Sequence, residues 1–334
     1  MYMRAQKKRL MNLEKYACWH YRKHTAKSSE INIRDPYILP FGGKYYLFGT
    51  LGKYAWSGAG GFWCHVSEDL ENWSEAIKCF EAPDGFWATE NYWAPEVHYY
   101  NGRFYMFASF MAKGHMRAVQ VLAADKPEGP YGIWSCPLTP NDWVCLDGTL
   151  YVENGVPYMI FCHEWSQITD GEICIVQLSE DLKNTVGRPR VLFKASEPNW
   201  ASSRQHGGFI TDGPFLHKCS DGRLIMIWSS FDDNGYVEAV AYSEDGSIKG
   251  EWKHCEKTMS AVNGGHGMIF NTFDGKTMFT MHHPNTPSGA ERALITEIRE
   301  ISDEPFWKQY KSLSSFCRIF LKEYFHARCK MKLK

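Results

Sequence analysis

Short apolar runs separated by glycine-containing turns recur along most of the chain. Five segments share one plan, an apolar strand, a turn carrying Asn-Gly, Asp-Gly or Gly-Gly, and a second apolar strand. Such turns between apolar runs are strong β-hairpin signals. The pattern therefore predicts five related hairpins. The segments are NIRDPYILPFGGKYYLFGT, WAPEVHYYNGRFYMFAS, LDGTLYVENGVPYMIFCHEW, TDGPFLHKCSDGRLIMIWSS and GHGMIFNTFDGKTMFTMHH.

One position can be followed through all five hairpins, three residues before the apolar anchor of the first strand. It is occupied, at intervals of 53 to 65 residues, by Asp35, Ala94, Asp147, Asp212 and His266. A further strand pair after each hairpin makes four strands per repeat. This arithmetic predicts an all-β fold, a five-bladed β-propeller with four antiparallel strands per blade. A large β-sandwich or stacked jelly rolls is the alternative, but neither requires the same hairpin five times.

The pattern also predicts how the chain is divided. The propeller is expected to fill residues 30–306, since amphipathic helix periodicity is absent between residues 30 and 305. Residues 1–29 form a basic arm and residues 307–334 a basic tail, and neither fits a blade. We expect both ends to be solvated, with a contact to a partner or a membrane as the alternative for the tail.

Charge and cysteine content narrow the function classes. The 37 Lys and Arg residues nearly balance 38 Asp and Glu residues, which does not indicate a nucleic-acid or membrane partner. Eleven cysteines without a C-x-x-C pair fit neither a disulfide framework nor a zinc site, so reduced thiols are expected. No signal-peptide core follows the basic N-terminus. A cytoplasmic location is the expectation, with an export signal outside this sequence as the alternative. Nothing in the sequence indicates the oligomeric state.

In a propeller the first strand of every blade lines the central channel, so the five tracked residues are expected to converge at one mouth. Asp and Gly before strands are common turn formers, which is the simpler explanation for any one of them. Three carboxylates in equivalent axial places instead indicate a site. Paired carboxylates around a sugar-sized pocket are what glycoside hydrolysis requires. Trp93, one residue before Ala94, would offer an apolar face to a sugar, or fill the core between blades.

The ordered motifs RDPYI, WAPEV, DGTLY, DGPFL and GHGMIF resemble the blade starts of family-43 glycoside hydrolases, over roughly residues 30–300. The resemblance implies a five-bladed propeller that releases arabinofuranose or xylose from plant polysaccharides with inversion. It implies that Asp35 is the general base and that Asp147 orients the proton donor and raises its pKa. It also implies that His266 holds a water molecule or a calcium ion and that Arg292 contacts the substrate. No other cofactor is expected.

The proton donor departs from the family pattern. Asp212 stands where the family usually has the glutamate of an EGP motif, and aspartate is one methylene shorter. Glu164, at the end of a second strand that returns to the same mouth, is the alternative acid. We favour Asp212 because Gly213-Pro214 follows it as in the family. Glu96 is interpreted as structural, and His282, His283 and Asn285 as either sugar contacts or loop caps.

The expected function is therefore an inverting, exo-acting glycosidase on plant oligosaccharides. Terminal α-L-arabinofuranosyl units are the first expectation, β-D-xylosyl units the second and internal arabinan cleavage the third. Two loops rich in aromatic residues, YAWSGAGGFW and APDGFWATENYW, are expected to wall the mouth into a pocket. The alternatives are a non-catalytic carbohydrate-binding propeller and a propeller phosphorylase. For the phosphorylase, only Arg34, Arg204 and Arg292 are candidate phosphate ligands. Fructan-cleaving relatives would carry NDPNG and ECP, which are absent here.

Overall fold

The computed structural model describes residues 26–56, 60–204, 207–259 and 263–300, and the backbone of 307–309. Its strands form five antiparallel sheets in chain order, and the first strands of neighbouring sheets pack side by side around a ring. The prediction of a five-bladed β-propeller is confirmed, and the sandwich alternative is wrong. Within the described residues, no helix has the length and apolar composition needed to cross a membrane.

Each blade is one sheet. Blade one contains β1 (Ala26–Lys27), β2 (Ile33–Phe41), β3 (Lys44–Leu51), β4 (Gly61–Ser67), β5 (Asn72–Trp73) and β6 (Ile77–Glu81). Blade two contains β7 (Glu90–Tyr100), β8 (Arg103–Met111), β9 (Ala118–Ala124) and β10 (Gly132–Ile133). Blade three contains β11 (Cys145–Glu153), β12 (Val156–His163), β13 (Glu172–Leu178) and β14 (Thr185–Lys194). Blade four contains β15 (Asp212–Lys218), β16 (Leu224–Asp232), β17 (Gly235–Ser243) and β18 (Trp252–His254). Blade five contains β19 (Gly265–Asn271), β20 (Thr277–His283), β21 (Arg292–Glu300) and β22 (Trp307–Gln309).

Helical structure among the described residues is confined to single turns. These are two 3-10 turns, Ser28–Glu30 and Gly52–Tyr54, and one α-helical turn, Trp165–Ile168. Two of the hairpin turns predicted from the sequence require backbone with positive φ, which Asn and Gly adopt more readily than other residues. Asn101-Gly102 and Asn154-Gly155 have positive φ at both residues, as a type I′ turn requires.

The predicted domain boundaries are wrong by a few residues at both ends. Ala26–Lys27, assigned to the basic arm, pairs with Asn72–Trp73 in blade one. Trp307–Gln309, assigned to the tail, pairs with β21 as the outer strand of blade five. Both pieces are too short for periodicity to identify as strands. The other residues of the predicted arm and tail lie outside the described residues.

The core lies between blades, because successive residues of a strand face opposite neighbours. In β12, Ile160 packs with Met226 and Trp228 of blade four, whereas Phe161 packs with Phe107 of blade two. Between blades five and one the ring is closed by polar contacts as well. The Ile33 amide donates to the Glu291 carbonyl at 3.2 Å. The eight described cysteines are free, and all except Cys136 are buried.

Candidate active site

Every first strand contains a β-bulge at the channel mouth, and β7 has another one before it, at Asn91. Between the paired positions on either side of the bulge, one residue adopts a positive φ that is unfavourable for any residue except glycine. These residues, with φ between 45° and 56°, are Asp35, Ala94, Asp147, Gly213 and His266. The bulge turns each of these residues out of the regular ladder.

The predicted alignment of the fourth blade is therefore wrong by one residue. Asp212 pairs with Ser229 before the bulge, as Arg34 pairs with Thr50 in blade one. The bulge position that matches Asp35 is Gly213. Both Phe215 and Leu216 are apolar residues near the strand start, and the sequence alone does not show which of them is the anchor. Asp212 still starts β15 at the same mouth, but it is the residue before the bulge and not the bulge residue itself.

The structure brings Asp35, Asp147 and His266 into direct contact. His266 Nδ1 lies 3.2 Å from Asp35 Oδ1 and 3.8 Å from Asp147 Oδ2. The three side chains are no more than 10% exposed, so their interactions are screened little by water. One imidazole nitrogen thus faces two carboxylates from different blades, at the centre of the ring.

Cationic and hydrogen-bonding groups surround Asp35. Thr50 Oγ1 donates to its Oδ2 at 2.6 Å, and His282 Nδ1 lies 3.5 Å from its Oδ1. Burial acts to raise the pKa of Asp35. The opposing effects of His266, Arg34 and the Thr50 hydroxyl nevertheless leave that pKa below its ordinary value. Asp35 is therefore ionised at neutral pH, as a general base must be.

Asp212 has the opposite environment. Burial, followed by the nearby Asp147 carboxylate, raises the pKa of Asp212 to about 8, despite a hydrogen bond of 3.1 Å from the Tyr236 hydroxyl. Burial and the Asp35 carboxylate also raise the pKa of Asp147, while a hydrogen bond from the Gly213 amide lowers it. Asp212 and Asp147 interact closely, so their protons are coupled. Asp212 holds a proton at neutral pH, as a general acid must.

Glu164, the alternative acid, is engaged elsewhere. Its carboxylate forms an ion pair with Arg117 Nη1, and both side chains are largely buried. The Arg117 guanidinium also lies over the Trp93 ring, 4.3 Å from its centroid. The Trp93 ring in turn meets Trp56 edge-on, at 5.3 Å between centroids. Trp93 thus lies at the mouth beside a carboxylate held by a salt bridge, while Trp56 is 67% exposed.

The prediction that Arg292 faces the substrate does not fit its contacts. Its Nε donates to the Ser29 carbonyl at 3.0 Å and its Nη1 to the Glu291 carbonyl at 2.7 Å. Arg34 lies beside Asp35 instead, with Nη1 3.0 Å from Glu291 Oε1 and Nη2 2.9 Å from Asn285 Oδ1. Because strand residues alternate between faces, Glu291 points toward Arg34 and Arg292 points away.

Sequence reasoning missed several residues that shape the site. Neither Thr50 nor Tyr236 is predicted from the sequence, and Arg34, which directly precedes Asp35, is predicted only as a phosphate ligand of the phosphorylase alternative. His282, predicted to be a sugar contact or a loop cap, is fully buried, and its ring stacks on Tyr236 at 5.7 Å. Burial and the Arg34 charge lower the pKa of His282 to about 3, so it is neutral. Glu96 is buried and lies 3.3 Å from His98, in agreement with a structural role.

The side chains around His266 do not fit a protein-built calcium site. Calcium takes six to eight oxygen ligands, whereas His266 offers nitrogen. Asp35 is engaged by Thr50 and Asp147 by Gly213. Among the described residues, the one group of three clustered ligand atoms belongs to His217, Cys219 and Glu300.

Comparisons with known proteins agree with this geometry. A family model described as "Glycosyl hydrolases family 43" matches residues 29–304. The crystal structure of an endo-arabinase from Bacteroides thetaiotaomicron VPI-5482 is 36% identical, with a TM-score of 0.78. It covers 84% of this chain and 99% of that one. A structure titled endo-1,4-beta-xylanase from the same organism is 26% identical with a TM-score of 0.70, covering 86% and 97%. The extracellular endo-alpha-(1->5)-L-arabinanase 1 of Bacillus subtilis (strain 168) is 25% identical over 257 residues, 72% of each chain.

Proposed function

The chain belongs to glycosyl hydrolase family 43, and from this membership we propose that it is an inverting glycosidase that cleaves α-1,5-arabinan internally. The observation that carries the chemistry is the opposite protonation of two carboxyl groups at one mouth. The pKa of Asp35 lies below its ordinary value, whereas that of Asp212 is raised to about 8. Two carboxyl groups with separated pKa values are the usual basis of acid–base assignment.

In the proposed reaction, Asp35 takes a proton from a water molecule as the water oxygen bonds to the anomeric carbon. The glycosidic carbon–oxygen bond breaks, and Asp212 gives its proton to the leaving oxygen. Asp147 supports this step because the two close carboxyl groups share one proton. The Gly213 amide, which donates to Asp147 Oδ2, favours the arrangement with that proton on Asp212. Inversion requires space for water between base and acid, about 6.5–9.5 Å between the carboxyl groups. Asp35 then releases its proton to solvent and Asp212 takes one up, which restores both residues.

Glu164 does not serve as the acid in this proposal. Its carboxylate accepts a hydrogen bond from the Arg117 guanidinium and is held by it, so this oxygen does not present a proton to a leaving group. Glu164 instead holds Arg117 against Trp93, and the exposed faces of Trp93 and Trp56 are proposed to bind sugar rings.

Internal cleavage is proposed over the removal of end units, because the second aromatic loop, expected to wall the mouth into a closed pocket, packs two of its aromatic residues between blades instead. In the second aromatic loop, Trp87 donates its indole N–H to Gln120 of β9, and Phe86 packs on Phe80 and Phe110. These aromatic residues fill space between blades one and two. The names of the arabinanases at 36% and 25% identity support the same mode and substrate.

The test is to incubate the purified protein with linear α-1,5-arabinan and to follow products by chromatography and proton NMR. Arabino-oligosaccharides should appear first, with the anomeric configuration of the new reducing end inverted. Arabinose as the sole early product would contradict internal cleavage, and retained configuration would contradict the water-mediated mechanism. Xylan is the second substrate to assay, because one of the similar structures is titled as a xylanase.

A further inference from the structure

The bulge residues are held by a ring of hydrogen bonds between neighbouring blades. In each blade, the residue before the bulge pairs with one residue of the second strand. Those five second-strand residues are Thr50, Ser109, Cys162, Ser229 and His282. They occupy one structural position, repeated around the channel. The type of side chain at this position therefore shows which blades can accept a hydrogen bond there.

At four of these positions, the side chain accepts a hydrogen bond from the bulge amide of the next blade. The pairs are Ala94 N to Thr50 Oγ1 at 2.8 Å, Asp147 N to Ser109 Oγ at 2.9 Å, His266 N to Ser229 Oγ at 2.6 Å and Asp35 N to His282 Nδ1 at 3.4 Å. Such bonds help to hold non-glycine residues at positive φ, which is otherwise unfavourable.

Blade three departs from this pattern. Its second-strand residue is Cys162, a fully buried thiol, and sulfur is a weak hydrogen-bond acceptor. The bulge amide of the next blade, Gly213 N–H, donates instead to Asp147 Oδ2 at 3.0 Å. Asp147 is thus the one bulge carboxylate among the described residues that receives a bulge amide from a neighbouring blade.

We propose that Cys162 is a positioning residue that withholds an acceptor from the Gly213 amide and so reserves this amide for the Asp147 carboxylate. The proposal rests on the proposed function, in which Asp147 and Asp212 share one proton that must lie on the acid Asp212. A hydrogen bond from an amide favours the ionised form of a carboxyl group. Losing it would move the shared proton from Asp212 toward Asp147.

The sharpest variant restores the pattern of the other blades. Cys162→Ser is nearly isosteric, and the new hydroxyl could donate to Thr211, whose hydroxyl interacts with the thiol in the parent. Ser229 has the same arrangement, donating to Glu238 Oε2 at 2.9 Å while accepting from the His266 amide. Cys162→Ala is the matched control, because it removes the thiol without supplying an acceptor.

The other groups that act on Asp147 are unchanged in both variants. Asp147 interacts electrostatically with Asp35 of blade one, Glu96 and Arg117 of blade two, Asp212 of blade four and His266 of blade five. A difference between Cys162→Ser and Cys162→Ala therefore reports on the Gly213 amide, provided that thermal melting shows both variants to be folded.

The first readout needs no substrate. Carbon-13 NMR of aspartate-labelled protein, with Asp147 assigned through Asp147→Asn, gives the titration midpoint of Asp147 directly. The midpoint should rise by about one pH unit in Cys162→Ser relative to Cys162→Ala, the size expected for one lost charge-assisted bond. Equal midpoints in the two variants would overturn the proposal, whether or not the protein cleaves arabinan.

The second readout concerns turnover. On arabino-oligosaccharides, kcat of Cys162→Ser should fall about tenfold with KM little changed, because the shared proton moves from Asp212 toward Asp147. Its pH profile should gain an acidic limb, from protonation of Asp147, at higher pH than the limb of Asp35. Cys162→Ala should keep the pH profile of the parent. A shifted midpoint with no activity in any form of the protein would refute the proposed function but leave the role of Cys162 intact. A profile moved equally in both variants would overturn that role.

Discussion

Blades one and four present a carboxylate to the same channel mouth, yet the two carboxylates differ in almost every physical respect. Asp35 occupies its bulge and is surrounded by Arg34, His266 and the Thr50 hydroxyl, all of which favour its charge. Asp212 precedes its bulge and faces the Asp147 carboxylate. One fold element, used with a shift of one residue and with different neighbours, thus supplies both the proposed base and the proposed acid.

The largest effect is expected from removing the base. Asp35→Asn should lower kcat by about 10⁴ on every substrate, since no other carboxylate would activate the water. Calorimetric titration with arabino-oligosaccharides should still show binding, because the site keeps its shape. Unchanged turnover in Asp35→Asn would contradict the assignment of Asp35 as the base, whereas binding without turnover in the parent would favour the non-catalytic sugar-binding alternative.

Removing the acid should give an effect that depends on the leaving group. Asp212→Asn should lower kcat on arabinan by about 10²–10⁴ but spare aryl arabinosides, whose leaving groups depart without a proton. Glu164→Gln is the matched control and should mainly raise KM through the loss of the Arg117 ion pair. The reverse pattern in the two variants would make Glu164 the acid.

The charge next to Asp35 allows a smaller and more specific test. Arg34→Gln alone would leave the buried Glu291 carboxylate unpaired, at a cost of about 3–5 kcal/mol in stability. The double variant Arg34→Gln with Glu291→Gln avoids this cost. Its Asp35 pKa should rise, so the acidic limb of the kcat/KM profile should move to higher pH. Arg292→Gln should leave that limb in place, because the Arg292 guanidinium binds carbonyl groups away from Asp35.

The smallest effect is expected at the rim. Trp93→Ala should raise KM for arabino-oligosaccharides about tenfold by removing a stacking face, and Trp93→Phe should recover much of the loss. An unchanged KM in Trp93→Ala would assign this ring to packing against Arg117 and Trp56 alone.

The five blades could be predicted from the sequence because hairpin turns and strand periodicity are local signals. The sequence was insufficient at Asp212, where Phe215 and Leu216 both resemble an anchor and only the pairing with β16 separates them. It also did not separate Arg34, which lies beside Asp35, from Arg292, which binds carbonyl groups elsewhere. Whether Arg34 or Arg292 faces the channel depends on strand alternation in two blades that meet only after the ring closes. Contacts such as Tyr236 with Asp212 join distant strands and leave no local pattern.

The pH dependence of kcat/KM tests the central assignment most directly. Asp35 must be ionised, so activity should fall only as pH drops below the ordinary range of an aspartate. Asp212 must be protonated, so activity should fall as pH rises through about 8. With an aryl arabinoside of acidic leaving group, the alkaline limb should disappear in Asp212→Asn and persist in Glu164→Gln. An alkaline limb that persists in Asp212→Asn and disappears in Glu164→Gln would contradict the assignment of Asp212 as the acid.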